Sequence, residues 1–235
     1  MTIILEQMEQ GSEEWLNARI GCVTMSRAKD LLSKGQGNNP SKTKETYILS
    51  VASELLTGTP AAKINAWDMA RGTLLEPYAL SAYKAATGED VRTVGLGYLD
   101  DNKRIAASPD ALGRIKGVEI KCQAPKNHLE TIIGQENPKQ FEAQMQGGMW
   151  IFDMGEWDYV SFCPEFKEKP LVIIPMKRNE EMIKQIEIES HLAVEKVDEY
   201  VRLASQGDFG DKLAAICEEA LEMIDIVQNK EVEIY

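Results

Sequence analysis

Apolar positions follow two different periods along this chain, and the switches between them predict its elements. Ser12 is a candidate N-cap for a short helix through Arg19, with Glu13 and Glu14 at its positive end. Thr24 similarly opens a helix through about Leu32. Residues 33–42, SKGQGNNPSK, hold two glycines, two asparagines and a proline and read as a mobile loop. Helical spacing returns from about Thr43 to Leu56, stopped at Gly58, and from about Ala66 to Ala86, ending before Gly88. The period then changes. Residues 91–100, 104–110, 117–122, 156–163 and 170–176 are short β-branched or aromatic segments bounded by turn residues. A crossover helix over 138–152, with Pro138 near its first turn, separates the third from the fourth. Amphipathic helices follow from Glu180 to about Leu203 and from Asp211 to Val227.

Helices, a hairpin-rich sheet, a crossover helix, two more strands and closing helices predict an α/β fold. Its centre is a mixed β-sheet flanked by helices. With no internal repeat or Pro/Ser-rich linker, the chain divides into a core over 1–178 and an acidic helical C-terminal extension over 179–235.

Composition narrows the class. At 43% hydrophobic and 27% charged, the 235 residues exclude disordered, collagen-like and coiled-coil chains. No run approaches the roughly 18 uninterrupted apolar residues of a membrane helix, and MTIILEQMEQ lacks the basic start of a signal peptide. Cys22, Cys122, Cys163 and Cys217 are scattered without a CxxC pair, which predicts a reduced, cytosolic chain. His128 and His191 alone are too few for a histidine-built zinc site.

The net charge of −12 argues against a nucleic-acid partner until its distribution is read. Residues 179–235 carry 15 acidic and 5 basic side chains, so residues 1–178 are nearly balanced. Between Arg19 and Lys44, six basic residues (Arg19, Arg27, Lys29, Lys34, Lys42 and Lys44) face one acid, Asp30. That cluster suits a phosphate backbone, although a solvated surface with an acidic tail is the plainer reading of charge alone.

Chemistry concentrates in SPDALGRIKGVEIKC, residues 108–122. Asp110 ends one strand, Gly113 and Gly117 frame a turn, and GVEIKC begins the next strand. Alternation places Glu119 and Lys121 on one face and turns Val118 and Ile120 into the core. A hairpin brings Asp110 beside Glu119. Two carboxylates on one sheet edge repel unless a cation sits between them, and hard oxygen donors suit Mg²⁺. Lys121 then stands ready to orient a water for attack on phosphorus. The alternative is a solvated hairpin with an ordinary Glu–Lys face. Taken singly, Glu76 reads as a surface helix acid, Gln144 as a helix amide facing water, and Trp15 as a core residue.

WLNARIGCVTMSRA near the start, then RGTLLEPYA, SPDAL, EIKC and AQMQGGMW, together resemble the phage lambda-type exonuclease family of viral recombinases. This family, also called YqaJ-like, lies within the PD-(D/E)XK nuclease superfamily. The resemblance covers about residues 10–165 in order and fades beyond about 178. It implies that Asp110 and Glu119 bind Mg²⁺ (with Mn²⁺ as a substitute), with the Ile120 carbonyl as a further ligand. Lys121 matches the catalytic lysine, Glu76 the helix glutamate that completes the acidic site, and Gln144 the glutamine beside the scissile phosphate. Arg19, Ser26 and Ser108 match positions that hold a terminal 5′-phosphate; a guanidinium fork suits that ligand independently.

The resemblance further implies 5′-to-3′ resection of one strand of linear double-stranded DNA, leaving a 3′ overhang for a single-strand annealing protein. It implies a ring-shaped homotrimer, encoded by a phage or prophage and acting in the host cytoplasm. The alternatives are a PD-(D/E)XK endonuclease of the restriction or junction-resolving kind, a DNA-binding protein without catalysis, and an interaction domain with no nucleic-acid partner.

Overall fold

The computed structural model describes residues 2–5, 7–35, 37, 40–60, 66–134, 137–206, 213 and 216–224. Among them, backbone pairing builds two four-stranded mixed sheets flanked by helices. The first joins β1 (Ile3–Leu5), β2 (Val23–Thr24), β3 (Leu96–Tyr98) and β4 (Ile105–Ala107) in the order β1-β3-β4-β2. The second runs β5 (Ala111–Leu112), β6 (Lys116–Cys122), β7 (Glu156–Phe162) and β8 (Leu171–Lys177) in sequence order. Here β6 and β7 are parallel, from Lys116↔Glu156 to Cys122↔Phe162, and β5 and β8 pair antiparallel outside them.

The helices are α1 (Glu13–Ala18), α2 (Ala28–Leu31), α3 (Lys42–Thr57), α4 (Ala66–Thr87), α5 (Pro125–Ile132), α6 (Glu142–Phe152) and α7 (Glu180–Ala204). Their ends obey local chemistry. Ser12 Oγ accepts the Trp15 N–H at the start of α1, and Gly58 closes α3 in the left-handed conformation at φ 66°. In α4, Pro77 lies inside the helix directly after Glu76.

Several expected elements differ. The helix expected from Thr24 opens instead as strand β2, because Val23 and Thr24 pair in parallel with Ile105 and Ala106; a 3₁₀ turn over Met25–Arg27 then leads into α2. The crossover segment likewise starts as a 3₁₀ turn over Asn137–Phe141 before α6. The long strand expected over 91–100 reduces to β3 plus one bridge, Arg92↔Leu112. Strands β1 and β5 and helix α5 carry too short a pattern to announce themselves. Residues 36, 38 and 39 of the loop 33–42 lie outside the described residues, as do 211, 212, 214, 215 and 225–227 of the helix expected over 211–227.

The main compact unit spans Met1–Val201. The 178/179 division expected from the sequence therefore falls between β8 and a helix that belongs to this unit: Ile183, Ile186, Ala193 and Val197 of α7 enter the main core with Met25, Leu31, Val51 and Met149. A second unit covers Arg202–Tyr235, and Ile216, Leu221, Met223 and Ile224 on its helix are exposed.

One packing detail sets the position of α6. The Trp157 ring, 1% exposed, lies against Gly117 of β6 and Gly148 of α6. A Cβ on Gly117 would come within 2.4 Å of that ring, and one on Gly148 within 2.6 Å. Gly147 and Gly148 thus let the helix approach where any side chain would hold it away. Gly117→Ala is expected to destabilise the fold by about 1–3 kcal/mol, because a rigid buried ring cannot yield. Gly72→Ala, in helix α4 with nothing within 4 Å of the added Cβ, is expected to stabilise by up to about 1 kcal/mol. Melting midpoints of the two variants check both signs.

Candidate active site

Side-chain alternation along β6 does the first sorting. Val118 and Ile120 enter an apolar cluster with Ala79 and Tyr83 of α4, while Glu119 and Lys121 share the opposite side. The β5–β6 register, Ala111↔Val118, carries Asp110 to the Glu119–Ile120 end of the hairpin. There Asp110 Oδ2 accepts the Ile120 N–H at 2.5 Å. Glu119, only 2% exposed, accepts at Oε1 from Lys121 Nζ at 2.5 Å and from Gln144 Nε2 of α6 at 2.7 Å. The Lys121 ammonium also lies 4.9 Å from the Phe141 ring centroid. The close approach of α6 therefore delivers Gln144 to a carboxylate 25 residues earlier in the chain.

The electrostatics are those of an acidic recess held by one cation. Burial, then Glu119, then Glu76 push the Asp110 carboxyl well above its ordinary range, against the opposing pull of Lys121 and the Ile120 N–H. Burial also raises Glu76, with Lys121 lowering it and Glu119 raising it, so Glu76 shares the same field from α4. Desolvation works to lower Lys121, but Glu119 and Asp110 outweigh it and hold the ammonium charged above the usual lysine value. Among the described residues, no three carboxylate, imidazole or thiol side chains converge as a ready-made metal cage. Asp110 and Glu119 are a two-carboxylate oxygen donor set with uncompensated negative charge, which fits a hard divalent cation whose other positions are filled by backbone oxygen and water. Neither histidine belongs to it: His128 is buried between Ser161 and the Lys169 carbonyl, and His191 meets the Trp150 ring edge to face.

Asp110, Glu119, Lys121 and Gln144 line a cleft of about 170 Å³ together with Arg19, Ser26 and Ser108. All three residues assigned to a terminal phosphate therefore share a cavity with the acidic cluster. Arg19 Nη2 reaches Ser26 Oγ at 3.4 Å, and Ser26 Oγ lies 3.2 Å from Thr24 Oγ1. Burial lowers the Arg19 pKa from its ordinary value, yet a guanidinium stays protonated at any physiological pH.

The rest of the basic cluster is less available than its spacing suggested. Arg27 pairs with Asp30 and lies over the Tyr47 ring, and Lys44 pairs with Glu189 at 2.7 Å. Lys29, Lys34 and Lys42 are exposed away from these pairs. The cleft also contains residues that sequence reasoning passed over. Gln10 Nε2 donates to the Val94 and Pro109 carbonyls, at 3.0 and 2.9 Å, and so ties down the SPD segment across more than 80 residues of chain. No local pattern marks that contact. Trp15 is half-buried as a core residue would be, yet its ring and its N–H both face the cleft wall.

Residues 14–155 match the family model described as the YqaJ-like viral recombinase domain, a span that contains the whole cleft except Gln10. The chain is 32% identical to an alkaline exonuclease (LHK-Exo) from Laribacter hongkongensis, with a TM-score of 0.74 over 87% of this chain and 100% of that one. The same enzyme in complex with dAMP gives 31% identity and the same TM-score and coverage. A phage related exonuclease from Haemophilus somnus 129PT shares the fold at 17% identity and a TM-score of 0.59, covering 78% of this chain and 96% of that one. No curated protein matches the chain.

The crowding of Asp110 and Glu119 has a consequence for stability. A carboxyl whose pKa is raised by folding withdraws stability as pH rises from its ordinary value through its folded one, so the raised Asp110 carboxyl makes the metal-free protein less stable at neutral pH than at a pH below its ordinary value. Asp110→Asn keeps an acceptor for the Ile120 N–H and removes the charge. In chelator at pH 7–8 this variant is expected to melt above the wild type, at roughly 2–4 °C per kcal/mol of repulsion relieved. The difference should vanish as pH falls into the ordinary carboxyl range, which a series of melting curves would reveal.

Proposed function

Since the chain belongs to the YqaJ-like viral recombinase family, we propose that it is a metal-dependent 5′-to-3′ exonuclease acting on one strand of linear duplex DNA. The observation that carries this reading is a single cleft lined both by an acid–lysine–glutamine cluster and by Arg19, Ser26 and Ser108. The Laribacter hongkongensis relative is an alkaline exonuclease with a dAMP complex, and a nucleoside monophosphate is the chemical form that stepwise cleavage releases.

In this proposal Asp110 and Glu119 hold Mg²⁺ (or Mn²⁺), with the Ile120 carbonyl and Glu76 completing the site directly or through water. When bound, the ion supplies positive charge that polarises the phosphate and makes water more acidic. Lys121, kept protonated by Glu119 and Asp110, orients the attacking water and stabilises the charge it gains as its proton leaves. Gln144 spends one amide N–H on Glu119 and has a second for a phosphate oxygen. Water adds to phosphorus as the bond to the 3′ oxygen breaks; the proton the water loses passes to solvent, and the leaving oxygen takes one from solvent to become the 3′ hydroxyl. The released nucleotide keeps its own 5′-phosphate, and the shortened strand carries a new one. Arg19, Ser26 and Ser108 receive that terminal phosphate, whose extra charge and free oxygens distinguish an end from the middle of a strand. The 3′ overhang then serves a single-strand annealing protein. The homotrimeric ring, that partner and a phage or prophage origin rest on the family resemblance. No described helix is long and apolar enough to cross a membrane.

The test uses duplex DNA labelled separately on its 5′ and 3′ ends, alongside a covalently closed circle, with Mg²⁺. Early release of the 5′ label as mononucleotide, an intact circle and full loss of activity in chelator are expected, with Ca²⁺ supporting binding but little turnover. Cleavage of the circle would replace the proposal with an endonuclease; unchanged activity in chelator would remove the metal. Lys121→Ala is expected to lower the rate by several orders of magnitude while end binding persists, read by single-turnover kinetics beside a binding titration. Arg19→Ala is expected to lose most of the wild-type preference for 5′-phosphorylated over 5′-hydroxyl ends. Arg19→Lys should regain only part of it, because a point charge lacks the fork.

A further inference from the structure

Trp15 of α1 connects two residues of the cleft wall that are 89 positions apart in the chain. Its ring carries the Arg19 guanidinium, with the central carbon 3.9 Å from the ring centroid. Its Nε1 donates to Ser108 Oγ at 3.0 Å and to the Gly95 carbonyl at 2.9 Å. An indole N–H has no acceptor capacity, so Ser108 Oγ must be the acceptor in that bond. The hydroxyl keeps its own proton, and that proton has no acceptor among the described residues. One side chain therefore fixes the guanidinium by its face and polarises the serine by its edge.

We infer that Trp15 is the positioning residue of this wall, setting Arg19 and Ser108 so that both present donors to one phosphate monoester. The inference rests on the exonuclease reading above and deepens it. Helix α1 is a firm base for the task. Ser12 caps its start, and the Tyr98 hydroxyl donates to the Ala18 carbonyl at 2.6 Å beside Arg19. The Gly95 carbonyl pins the indole edge from the first sheet's side, so the ring cannot rotate without breaking two hydrogen bonds. Stacking on an aromatic face also removes rotamer freedom from a long side chain, leaving the fork aimed before any ligand arrives. A tryptophan needed only as packing would be indifferent to its N–H; this one places that group against a serine of the cleft.

The discriminating quantity is the ratio of rates on 5′-phosphorylated and 5′-hydroxyl linear duplexes, measured within each preparation so that any loss of folded protein cancels. Trp15→Phe keeps an aromatic face for Arg19 and removes the N–H. Its ratio is expected to fall roughly two- to tenfold, the worth of one neutral hydrogen bond, and to match that of Ser108→Ala. The double variant Trp15→Phe/Ser108→Ala should fall no further than Ser108→Ala alone, because the indole N–H acts through the serine. Trp15→Ala should fall further than either, having lost the platform for Arg19. A wild-type ratio well above one that Trp15→Phe leaves intact, or additive losses in the double variant, would overturn the role of Trp15 while leaving the exonuclease reading in place. A wild-type ratio of one would overturn the end-phosphate reading itself.

Discussion

Two carboxylates brought together at the end of a buried strand repel each other, and the surroundings of Asp110 and Glu119 are arranged to meet that constraint without neutralising it. Lys121 supplies one positive charge, the Ile120 N–H and the Gln144 amide supply hydrogen bonds, and Glu76 adds a further negative charge from α4. The balance still leaves Asp110 with a raised pKa. A chain selected for stability alone would have replaced one of these acids. Under the proposed metal-dependent function the imbalance has a use, since a bound divalent cation would make up what the protein withholds.

That charge cluster is positioned by packing that contains no charge. The in-register parallel pairing of β6 with β7 puts Trp157 opposite Gly117, and the same ring meets Gly148 of α6. Two positions without side chains on either side of one indole set the distance from strand to helix, and that distance lets Gln144 touch Glu119. Core and site are thus joined mechanically: the jigsaw around Trp157 fixes where an amide nitrogen lies relative to a carboxylate.

The charge distribution follows a similar economy. The acidic excess of the whole chain lies mostly after residue 179, while within the main unit several basic residues are paired with acids rather than left free, as Lys44 is with Glu189 and Arg104 with Asp198. Arg19 differs in facing hydroxyls and an aromatic ring, which restrain it without cancelling its charge. A guanidinium kept charged, stacked and partly desolvated meets an anion more strongly than one solvated on the surface.

Periodicity in the sequence determined the long helices, the main strands and the α/β class, because 3.6- and 2-residue periods follow directly from burying one face of an element. It also determined the hairpin that pairs Asp110 with Glu119, since alternation along GVEIKC leaves Glu119 and Lys121 no other common side. Motif order supplied the likeness that singled out Glu76, Gln144, Arg19, Ser26 and Ser108, of which only Arg19, in its basic cluster, carries a local mark of its own. Tertiary structure alone decided the rest. Val23 and Thr24 form a strand because Ile105 and Ala106 lie alongside them. The acidic helix after residue 179 joins the main core because its Ile183, Ile186 and Val197 find apolar partners there. Gln10 and Trp15 act on the cleft through bonds to residues 80 or more positions away. Such contacts depend on where the backbone returns in space, and a one-dimensional pattern encodes only which face a residue turns, not what it will meet.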